Sequence, residues 1–405
     1  MVSRRGVPPV TGLSIAALAC AVWVYLALGR GGFWRARQDD RAMYDALPDT
    51  QHEARAATSW PRVVAVIPAR NEAELVSTTV GSLLAQRYAG EFSIIVVDDQ
   101  SEDGTAAAAS RAANDAGFAK RLTVLASPPL PEGWTGKLWA IAQGVAYAET
   151  LPDSPEFLLL TDADIRYAPD AVAALVFSAV ENDSDLSSLM VKLRCESFAE
   201  RAFIPAFVFF FQMLYPFAWV NQPNRRTAAA AGGCMLVRRL ALREAGGIAS
   251  IRGELIDDCA LARRLKSRGP IRLALGERVQ SLRAYPSVRE IRRMVVRSAY
   301  AQLRFSPWRL VVIALAMLMV FVAPVLLTFA GHGWTRALAL AAWGLMAVLF
   351  APMQKRYRLP VWWGVALPAI ALAYLAFTVE SAYQHFRGRG GMWKGRAHGA
   401  TVETP

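Results

Sequence analysis

Two aspartates separated by one residue, Asp162 and Asp164, directly follow an apolar run at residues 157–160. Side chains two positions apart on an extended chain point to the same side, so both carboxylates can act on one ligand. Paired carboxylates hold hard divalent cations such as Mg²⁺ or Mn²⁺ together with phosphate oxygens. The spacing alone is a weak signal, but its place after a buried strand favours chemistry. We therefore predict that Asp162 and Asp164 bind a divalent cation and a diphosphate.

A second acidic pair, Asp257 and Asp258, lies at the start of a helical pattern that continues through Arg264. A carboxylate there can remove the proton of a hydroxyl group as that group attacks an electrophilic carbon. Asp258 is the candidate for this general base. The competing explanation is structural, because an acid in the first helical turn contributes roughly 0.3 to 1 kcal/mol through the helix dipole. For the pair taken alone, the structural explanation is preferred.

A third polar group, at residues 98–105, follows an apolar run at residues 93–97. Asp98 or Asp99 can accept the N3 hydrogen of a uracil ring, which predicts a nucleotide contact. Ser101 and Thr105 are suited to cap the helix that follows. A capped turn with acids favoured by the helix dipole explains this segment equally well.

The apolar runs before these groups have the length and β-branched content of buried parallel strands. Three such strands are expected at residues 63–67, 93–97 and 157–160, and helical patterns at residues 73–86 and 105–116 separate them. This order predicts an α/β fold with a right-handed, doubly wound, Rossmann-like sheet. Such a sheet binds its ligand at the carboxyl ends of the strands, where the polar groups lie.

Of the 405 residues, 54% are hydrophobic, which is more than one soluble domain needs. The excess is concentrated in apolar segments, as expected for helices that cross a hydrocarbon core of roughly 30 Å. These segments are residues 11–29, 310–330, 336–352 and 360–380. Arg4 and Arg5 would also fit a signal peptide, but no Ala-x-Ala cleavage site follows, so an uncleaved anchor is preferred.

The net charge of +12 is concentrated in residues 252–309, which hold fourteen Arg or Lys against five acids. No groove-reading motif accompanies this charge, so we expect no nucleic-acid partner. The basic stretch runs into the apolar segment that begins near Arg309, where the positive-inside rule and anionic headgroups favour it. The four cysteines show neither metal-ligand spacing nor a secretory disulfide pattern.

Taken together, these segments resemble the family-2 glycosyltransferases, whose nucleotide-binding sheet is called GT-A. The resemblance covers about residues 62–270 and consists of six motifs in the family's order. They are Ile67-Pro68-Ala69-Arg70-Asn71-Glu72, residues 97–105, Gly136-Lys137 with Ala140 and Gly144, Asp162-Ala163-Asp164, Gly232-Gly233-Cys234-Met235, and Asp257-Asp258-Cys259-Ala260-Leu261. The probability that six motifs agree in this order by chance is very small.

The resemblance implies a metal-dependent, inverting transfer from a nucleotide sugar, most simply a UDP-sugar. Asp258 would be the catalytic base, and Asp164 would bind the metal together with Asp162. The donor side would comprise Pro68, Arg70, Glu72, Asp98, Asp99, Lys137 and Asp162, with the ammonium of Lys137 near the diphosphate. The acceptor side would comprise Gly232, Gly233, Cys234, Asp257 and Arg297, with the glycines permitting close backbone approach.

Processive members of this family carry a Gln-x-x-Arg-Trp motif after the base. The corresponding stretch here is residues 294–298, in which only Arg297 matches. A long polymer product is therefore disfavoured, and transfer of a single sugar is expected.

Residues 203–220 form an uncharged segment that is rich in phenylalanine and contains Trp219 and two prolines. A single membrane crossing there would place Asp164 and Asp258 on opposite sides of the bilayer. The segment must therefore lie in the interface, re-enter, or be buried in the protein. Its aromatic content favours an interfacial helix, and a plain core helix is the alternative.

Within the family, a closer resemblance is to the hopanoid-associated glycosyltransferases, encoded among bacterial squalene-hopene pathway genes. It rests on residues 188–198, 228–234 and 251–258 and on the aromatic segment. It implies a membrane-lipid acceptor and a role in hopanoid biosynthesis. Two alternatives stay open: a polyisoprenyl-phosphate or ceramide-like lipid acceptor, and a non-enzymatic membrane scaffold with a degenerate transferase domain.

The expected organisation is an N-terminal transmembrane anchor (1–35), a connector (36–60), a GT-A domain (61–305), C-terminal transmembrane helices (306–385) and a basic tail (386–405). We expect a multi-pass protein of the bacterial inner (cytoplasmic) membrane. Because nucleotide sugars are cytosolic, the catalytic domain and the basic loop at residues 355–358 would face the cytoplasm. If all three C-terminal stretches crossed the membrane, the tail with Lys394 would lie outside, which the same rule disfavours. One of these stretches is therefore a candidate for a re-entrant path.

Overall fold

The computed structural model describes residues 9–47, 60–388, 392–393 and 396–397. The chain divides into two compact units. The helical unit comprises Met1–Arg37, Cys195–Pro216 and Tyr285–Gly390, and the sheet unit comprises Gln38–Arg194, Phe217–Ala284 and Gly391–Pro405. Arg4, Arg5, Arg389 and Lys394, which entered the leader and tail predictions, lie outside the described residues.

The sheet unit contains one eight-stranded mixed sheet. Its strands are β1 (Val63–Ala69), β2 (Phe92–Asp98), β3 (Leu122–Ala126), β4 (Phe157–Leu160), β5 (Ile165–Tyr167), β6 (Leu186–Lys192), β7 (Met235–Arg238) and β8 (Ile271–Ser281). The strand order is β3-β2-β1-β4-β7-β6-β8-β5. Strands β3, β2, β1 and β4 are parallel, whereas β7 is antiparallel to both of its neighbours. The predicted α/β GT-A fold is confirmed.

Helices are numbered α1 to α16 along the chain. In the sheet unit they are α2 (Arg41–Asp45), α3 (Ala73–Leu84), α4 (Thr105–Asp115), α5 (Gly136–Glu149), α6 (Ala171–Glu181), α8 (Phe217–Val220), α9 (Arg239–Glu244) and α10 (Asp257–Lys266). In the helical unit they are α1 (Pro9–Leu28), α7 (Phe198–Leu214), α11 (Val288–Val296), α12 (Ala299–Gln302), α13 (Pro307–Met317), α14 (Ala323–Ala330), α15 (Gly333–Arg356) and α16 (Leu367–Phe386). Two short strands, β9 (Met392–Trp393) and β10 (Arg396–Ala397), pair with each other.

Strand β1 is buried along its whole length, which explains its unbroken apolar sequence. Its register aligns Ala69 with Asp98 of β2, and Val66 with Leu160 of β4. The polar segments that follow β1, β2 and β4 therefore emerge at one edge of the sheet, as predicted.

The predicted connector is in part a component of the sheet unit. Asp39 forms a parallel bridge with Leu275, and the carboxylate of the buried Asp40 accepts a hydrogen bond from the N–H of Glu277. Met43 of α2 lies in the hydrophobic core. The remainder of this predicted connector, residues 48–59, lies outside the described residues.

Within the described part of the chain, five helical segments are long and apolar enough to cross a membrane. They are Thr11–Leu28, Phe198–Val220, Pro307–Ala330, Gly333–Arg356 and Val361–Phe386. Pro307–Ala330 joins α13 to α14 through a π-helical turn, and Val361–Phe386 begins with a 3-10 helix. Two of the predicted apolar segments, 310–330 and 336–352, lie within these helices, and the other two, 11–29 and 360–380, each extend one residue beyond them.

Most of the predicted aromatic segment, residues 203–216, lies in the helical unit. Phe203 and Phe209 are buried in the helical unit. The ring of Phe209 contacts Phe33 and Phe350, with centroids 5.3 and 5.2 Å apart, and Phe203 packs against Phe377. These ring contacts are those expected of the alternative, a core helix, because other apolar helices supply partners for the aromatic side chains of α7. The interfacial location stays a prediction.

The predicted catalytic domain, residues 61–305, includes parts of both units. Residues 195–216 and 285–305 belong to the helical unit and not to the sheet unit. The reason is visible in α11, where Ile291 and Val295 form a buried apolar stripe, while Arg289, Arg293 and Arg297 are exposed. An amphipathic helix of this kind packs on other helices through its apolar face.

Candidate active site

The loops after β1 and β2 are joined by side chain to backbone hydrogen bonds. Ser101 accepts from the N–H of Asn71, and Thr105 accepts from the N–H of Glu72. Asp103 accepts from the N–H of Ala73. These side chains therefore satisfy N–H groups at the start of α3, whereas the sequence prediction had Ser101 and Thr105 capping α4.

The two candidate nucleotide-binding aspartates differ in accessibility. Asp99 is fully buried and forms an ion pair with Arg70 at 3.7 Å. Arg70 also donates to the carbonyl oxygens of Asp99 and Gln100, so it braces the β2 loop. Asp98 is only half-buried, and its Oδ1 accepts from the N–H of Ser101. Of the two carboxylates, Asp98 is the one that a ligand can reach.

Helix α5 places Lys137 at the sheet edge. Thr135 caps the helix by accepting from the N–H of Leu138. Gly144 lies against β1 so closely that an added Cβ would overlap Val66 and lie 3.1 Å from Val97. The glycine thus permits close packing of α5 on the sheet, which explains its place in the motif that begins at Gly136.

Lys137 joins the acids of two separate motifs. Its Nζ lies 2.9 Å from Oδ1 of Asp162 and 3.2 Å from Oδ2 of Asp257. Burial by itself would lower the pKa of Lys137, but Asp162 and Asp257 outweigh that effect and raise it. The ammonium group therefore stays charged between the two motifs.

The carboxylate of Asp258 is held by two backbone N–H groups. Gly232 donates to Oδ2 at 2.9 Å, and Cys259 donates to Oδ1 at 2.6 Å. Burial, followed by the neighbouring Asp257, raises the pKa of Asp258 to about 6, against the opposing effects of Lys137 and the two N–H groups. A carboxylate with this pKa is ionised at neutral pH and is a stronger base than an exposed aspartate.

A buried polar chain connects the end of β4 with the Gly232-Gly233 turn. The hydroxyl of Tyr167 donates to Oγ1 of Thr161 at 2.8 Å, and Thr161 donates to the carbonyl oxygen of Gly233 at 2.8 Å. This chain positions Asp162 relative to the turn that holds Asp258.

Asp164 has a partner that sequence reasoning missed. Nε of Arg283 donates to Oδ2 of Asp164 at 2.7 Å, and Nη2 donates to Oε1 of Glu72. Arg283 had been grouped with the basic stretch expected to face anionic lipid. The β5–β8 pairing, which aligns Ile165 with Ser281, brings it instead to the aspartate pair.

The aspartate pair fits a divalent cation that binds together with a diphosphate. Within residues 9–47 and 60–388, no three His, Cys, Asp or Glu side chains converge to hold a metal. Asp162 and Asp164 supply two carboxylates, and Mg²⁺ commonly takes one or two carboxylates plus phosphate oxygens and water. Asp164 already attracts a cationic group, the guanidinium of Arg283.

Some predicted site residues do not present their side chains to this cluster. Pro68 is buried within β1, and Cys234 is fully buried in the core with a pKa raised by that burial to about 12. Gly233 packs against Val191. The side chains of Pro68 and Cys234 therefore contribute to packing, and their donor and acceptor assignments stay predictions. Arg297 is exposed at the end of α11 in the helical unit, so its acceptor role stays a prediction.

Comparison with known proteins extends these observations. A mannosyltransferase from Pyrobaculum calidifontis, solved with GDP-Man and Mn²⁺, is 18% identical, with a TM-score of 0.53, and the match covers 93% of this chain and 99% of that chain. Mannosyl-3-phosphoglycerate synthase from Rubrobacter xylanophilus is 18% identical, with a TM-score of 0.40 and coverage of 67% and 83%. Glucosyl-3-phosphoglycerate synthase from Mycobacterium tuberculosis, solved with Mg²⁺ and UDP, is 18% identical, with a TM-score of 0.41 and coverage of 63% and 84%. A search of curated proteins finds no match.

At such identities the mannosyltransferase likeness shows the fold alone. In sequence, residues 64–246, somewhat less than half of the chain, match the model described as Glycosyl transferase family 2. The matched range contains Lys137, Asp162 and Asp164 and ends before Asp257. The chain therefore contains a glycosyltransferase family 2 domain, built on a GT-A sheet.

Proposed function

We propose that this chain is a membrane-bound, inverting glycosyltransferase that moves one sugar from a nucleoside-diphosphate sugar to a lipid acceptor. The observation that carries the proposal is the placement of Lys137 between Asp162 and Asp257. The ammonium group of Lys137 thereby connects Asp162, which is assigned to the donor, with Asp257, which precedes the candidate catalytic base Asp258. A scaffold with a degenerate transferase domain would have no need of this charged cluster.

The chemistry assigned to the site is a single displacement. Asp258 removes the proton of the acceptor hydroxyl, whose oxygen attacks the anomeric carbon from the face opposite the leaving group. The bond from that carbon to the diphosphate oxygen breaks, and the nucleoside diphosphate leaves with the electron pair. Lys137 lies where it would attract the diphosphate. Asp98 is the acid that the nucleobase of the donor could reach. A Mg²⁺ or Mn²⁺ ion held by Asp162 and Asp164 would offset the negative charge of the leaving group.

The topology assigned to the membrane segments follows from strand pairing. The chain leaves the sheet unit after β6 and returns with β7 and β8, which pair with β6 in the same sheet. Both ends of residues 195–216 therefore lie on one side of the membrane, so α7 does not complete a crossing. We place the sheet unit in the cytoplasm of a bacterium, at the inner membrane, because nucleotide sugars are supplied there.

The C-terminal end of α16 returns to the same side as the residues that precede α13. Ser381 accepts from the N–H of Tyr300 at 3.0 Å, and the ring of His385 stacks on Phe305 with centroids 4.5 Å apart. Arg292 of α11 forms an ion pair with Glu380. No apolar segment lies in the chain between the end of β8 and residues 285–305. We therefore assign two crossings to residues 307–356 and a re-entrant path to residues 361–386, which removes the parity conflict over the basic tail.

The lipid acceptor is supported by the five apolar segments and by the sequence runs that resemble hopanoid-associated glycosyltransferases. The buried rings of α7 no longer support it. A hopanoid acceptor is our first choice, and a polyisoprenyl phosphate or ceramide-like lipid is the alternative.

The test uses the full-length protein in lipid nanodiscs with radiolabelled UDP-glucose or GDP-mannose and defined acceptor lipids. Label in a lipid product with inverted anomeric configuration supports the proposal. Mass spectrometry of lipids from a deletion strain then identifies the acceptor, as the species that loses a sugar. If no nucleotide sugar binds or reacts, the chain is not an enzyme of this class.

A further inference from the structure

The guanidinium of Arg283 occupies the carboxylate that the proposed metal requires. Nε donates to Oδ2 of Asp164 at 2.7 Å, and Nη2 donates to Glu72. Both carboxylate side chains are only 10% exposed, so the two contacts are well shielded from water. A guanidinium that bridges two recessed carboxylates is held more strongly than a surface ion pair.

The position of Arg283 is determined by the backbone as well as by charge. The N–H of Leu282 donates to the carbonyl oxygen of Asp164 at 2.8 Å, directly before Arg283 in the chain. The antiparallel pairing of β5 with β8 leads into this contact. The arginine side chain therefore starts from a fixed place beside Asp164, and only its torsion angles need change for the guanidinium to leave.

We infer that Arg283 is the resident cation of Asp164 and that a divalent cation must displace it in order to bind. Glu72 retains the guanidinium when that happens, because it already holds the other side of the fork. The inference rests on the proposed function. Its consequence is that the metal binds weakly alone and well with a nucleoside diphosphate, whose phosphate oxygens supply the ligands that outweigh the loss of the Arg283 contact.

The charges of the cluster explain why such a resident cation is needed. Asp162 and Asp257 share the ammonium of Lys137, whereas Asp164 and Glu72 share the guanidinium of Arg283. Without Arg283, two recessed carboxylates would lose their shared cation, a situation that favours capture of another one.

The inference is tested by Mn²⁺ binding to the full-length protein in detergent, measured by electron paramagnetic resonance without and with UDP or GDP. Wild type should bind Mn²⁺ weakly alone and more tightly with nucleotide. Arg283→Gln should bind Mn²⁺ alone about tenfold or more tightly than wild type, because one charge-assisted hydrogen bond no longer competes. Nucleotide should then add less to Mn²⁺ affinity than it does in wild type.

Arg278→Gln is the matched control, since Arg278 lies on β8 and pairs with Asp170 at 2.6 Å, away from the aspartate pair. Its Mn²⁺ affinity should equal that of wild type. Should Arg283→Gln fail to fold, Arg283→Lys keeps a cation without the guanidinium fork and should bind Mn²⁺ with intermediate affinity. If wild type shows nucleotide-dependent Mn²⁺ binding and the Arg283 variants are unchanged, the inference is wrong and the proposed function stands. If no variant binds Mn²⁺ even with nucleotide, the metal step of the proposed function fails, and the inference fails with it.

Discussion

The backbone N–H of Gly232 donates to Oδ2 of Asp258 across 2.9 Å, although the two residues are 26 positions apart. A Cβ added at Gly232 would lie 3.1 Å from Nζ of Lys137 and 3.6 Å from the same Asp258 oxygen. The glycine therefore brings a hydrogen-bond donor to the candidate base without displacing the ammonium group. This contact gives the turn a role in holding Asp258, and the acceptor-side assignment of Gly232 stays a prediction.

Asp258→Asn should reduce sugar transfer by about 10²- to 10⁴-fold, because the amide cannot accept the acceptor's proton. Donor affinity should be nearly unchanged, since the amide has nearly the same shape and its oxygen can still accept from one of the two backbone N–H groups, that of Gly232. Transfer rates and nucleotide-sugar binding are measured on the same preparation. Glu254→Gln, an exposed acid of the same segment, is the control and should transfer sugar at the wild-type rate. A large loss of donor binding in Asp258→Asn would move the base to another residue.

The pH dependence of transfer should report the pKa of Asp258. Its pKa is raised to about 6, and the ionised form is the active one. kcat/KM should therefore be constant above neutral pH, reach half its maximum near pH 6, and fall about tenfold per unit below that. In Asp257→Asn the midpoint should move to lower pH, because Asp257 raises the pKa of Asp258. A midpoint that stays in place would mean that another group limits the rate.

The first half of the sheet and its ligand edge could be predicted because short-range patterns encode them. Strands β1 and β4 are unbroken apolar runs, β2 is apolar except for Ser93 and its terminal Asp98, and polar residues of one motif lie at the end of each strand. The register of β5 against β8 is not encoded in that way, since Arg283 and Asp164 are 119 positions apart. Arg283 therefore looked like one more member of a basic stretch.

The aromatic segment shows a different limit of sequence reasoning. Its composition suits an interfacial helix and a buried one equally well, since both need apolar rings. The packing partners of the rings distinguish a buried helix from an interfacial one. Two of them, Phe33 and Phe350, contact Phe209 but are distant from it in sequence. The same holds for Ser101 and Thr105, whose hydroxyl groups satisfy the neighbouring loop and not their own helix.

Chelation of divalent cations by EDTA should abolish transfer, and Mg²⁺ or Mn²⁺ should restore it. The reason is that the acids of the aspartate pair would otherwise repel the donor diphosphate. The measurement is label transfer to lipid before and after the metal is added back. In the Asp164→Asn variant, added Mg²⁺ or Mn²⁺ should fail to restore transfer. Full transfer by the metal-free wild-type protein would remove the role assigned to Asp164.

Gly144→Ala should destabilise the protein by about 1 to 3 kcal/mol, because the new Cβ would overlap Val66 and force α5 away from β1. Sugar transfer should fall as well, since Lys137 moves with the helix. Gly81→Ala is the matched control: it lies inside α3, its Cβ would meet nothing within 4 Å, and the change should stabilise by about 0.5 to 1 kcal/mol. Thermal unfolding in detergent checks that Gly144→Ala lowers the stability and that Gly81→Ala raises it. Equal effects of both substitutions would show that α5 does not depend on close packing at Gly144.

The side of the membrane on which α16 ends can be measured by cysteine labelling, and the contacts of its last turn determine the expected result. Native Cys20 and Cys195 are partly accessible and are first replaced by serine, whereas Cys234 and Cys259 are buried. A cysteine introduced at the exposed Arg387 should react with a membrane-impermeant maleimide only after cells are permeabilised, because Tyr300 and Phe305, which we assign to the cytoplasmic side, contact His385 near the end of α16. A cysteine at His332, between the two assigned crossings, should react in intact cells, and one at Lys355 should behave like Arg387. External labelling at Arg387 with internal labelling at Lys355 would mean that residues 361–386 cross the membrane and that the re-entrant path is wrong.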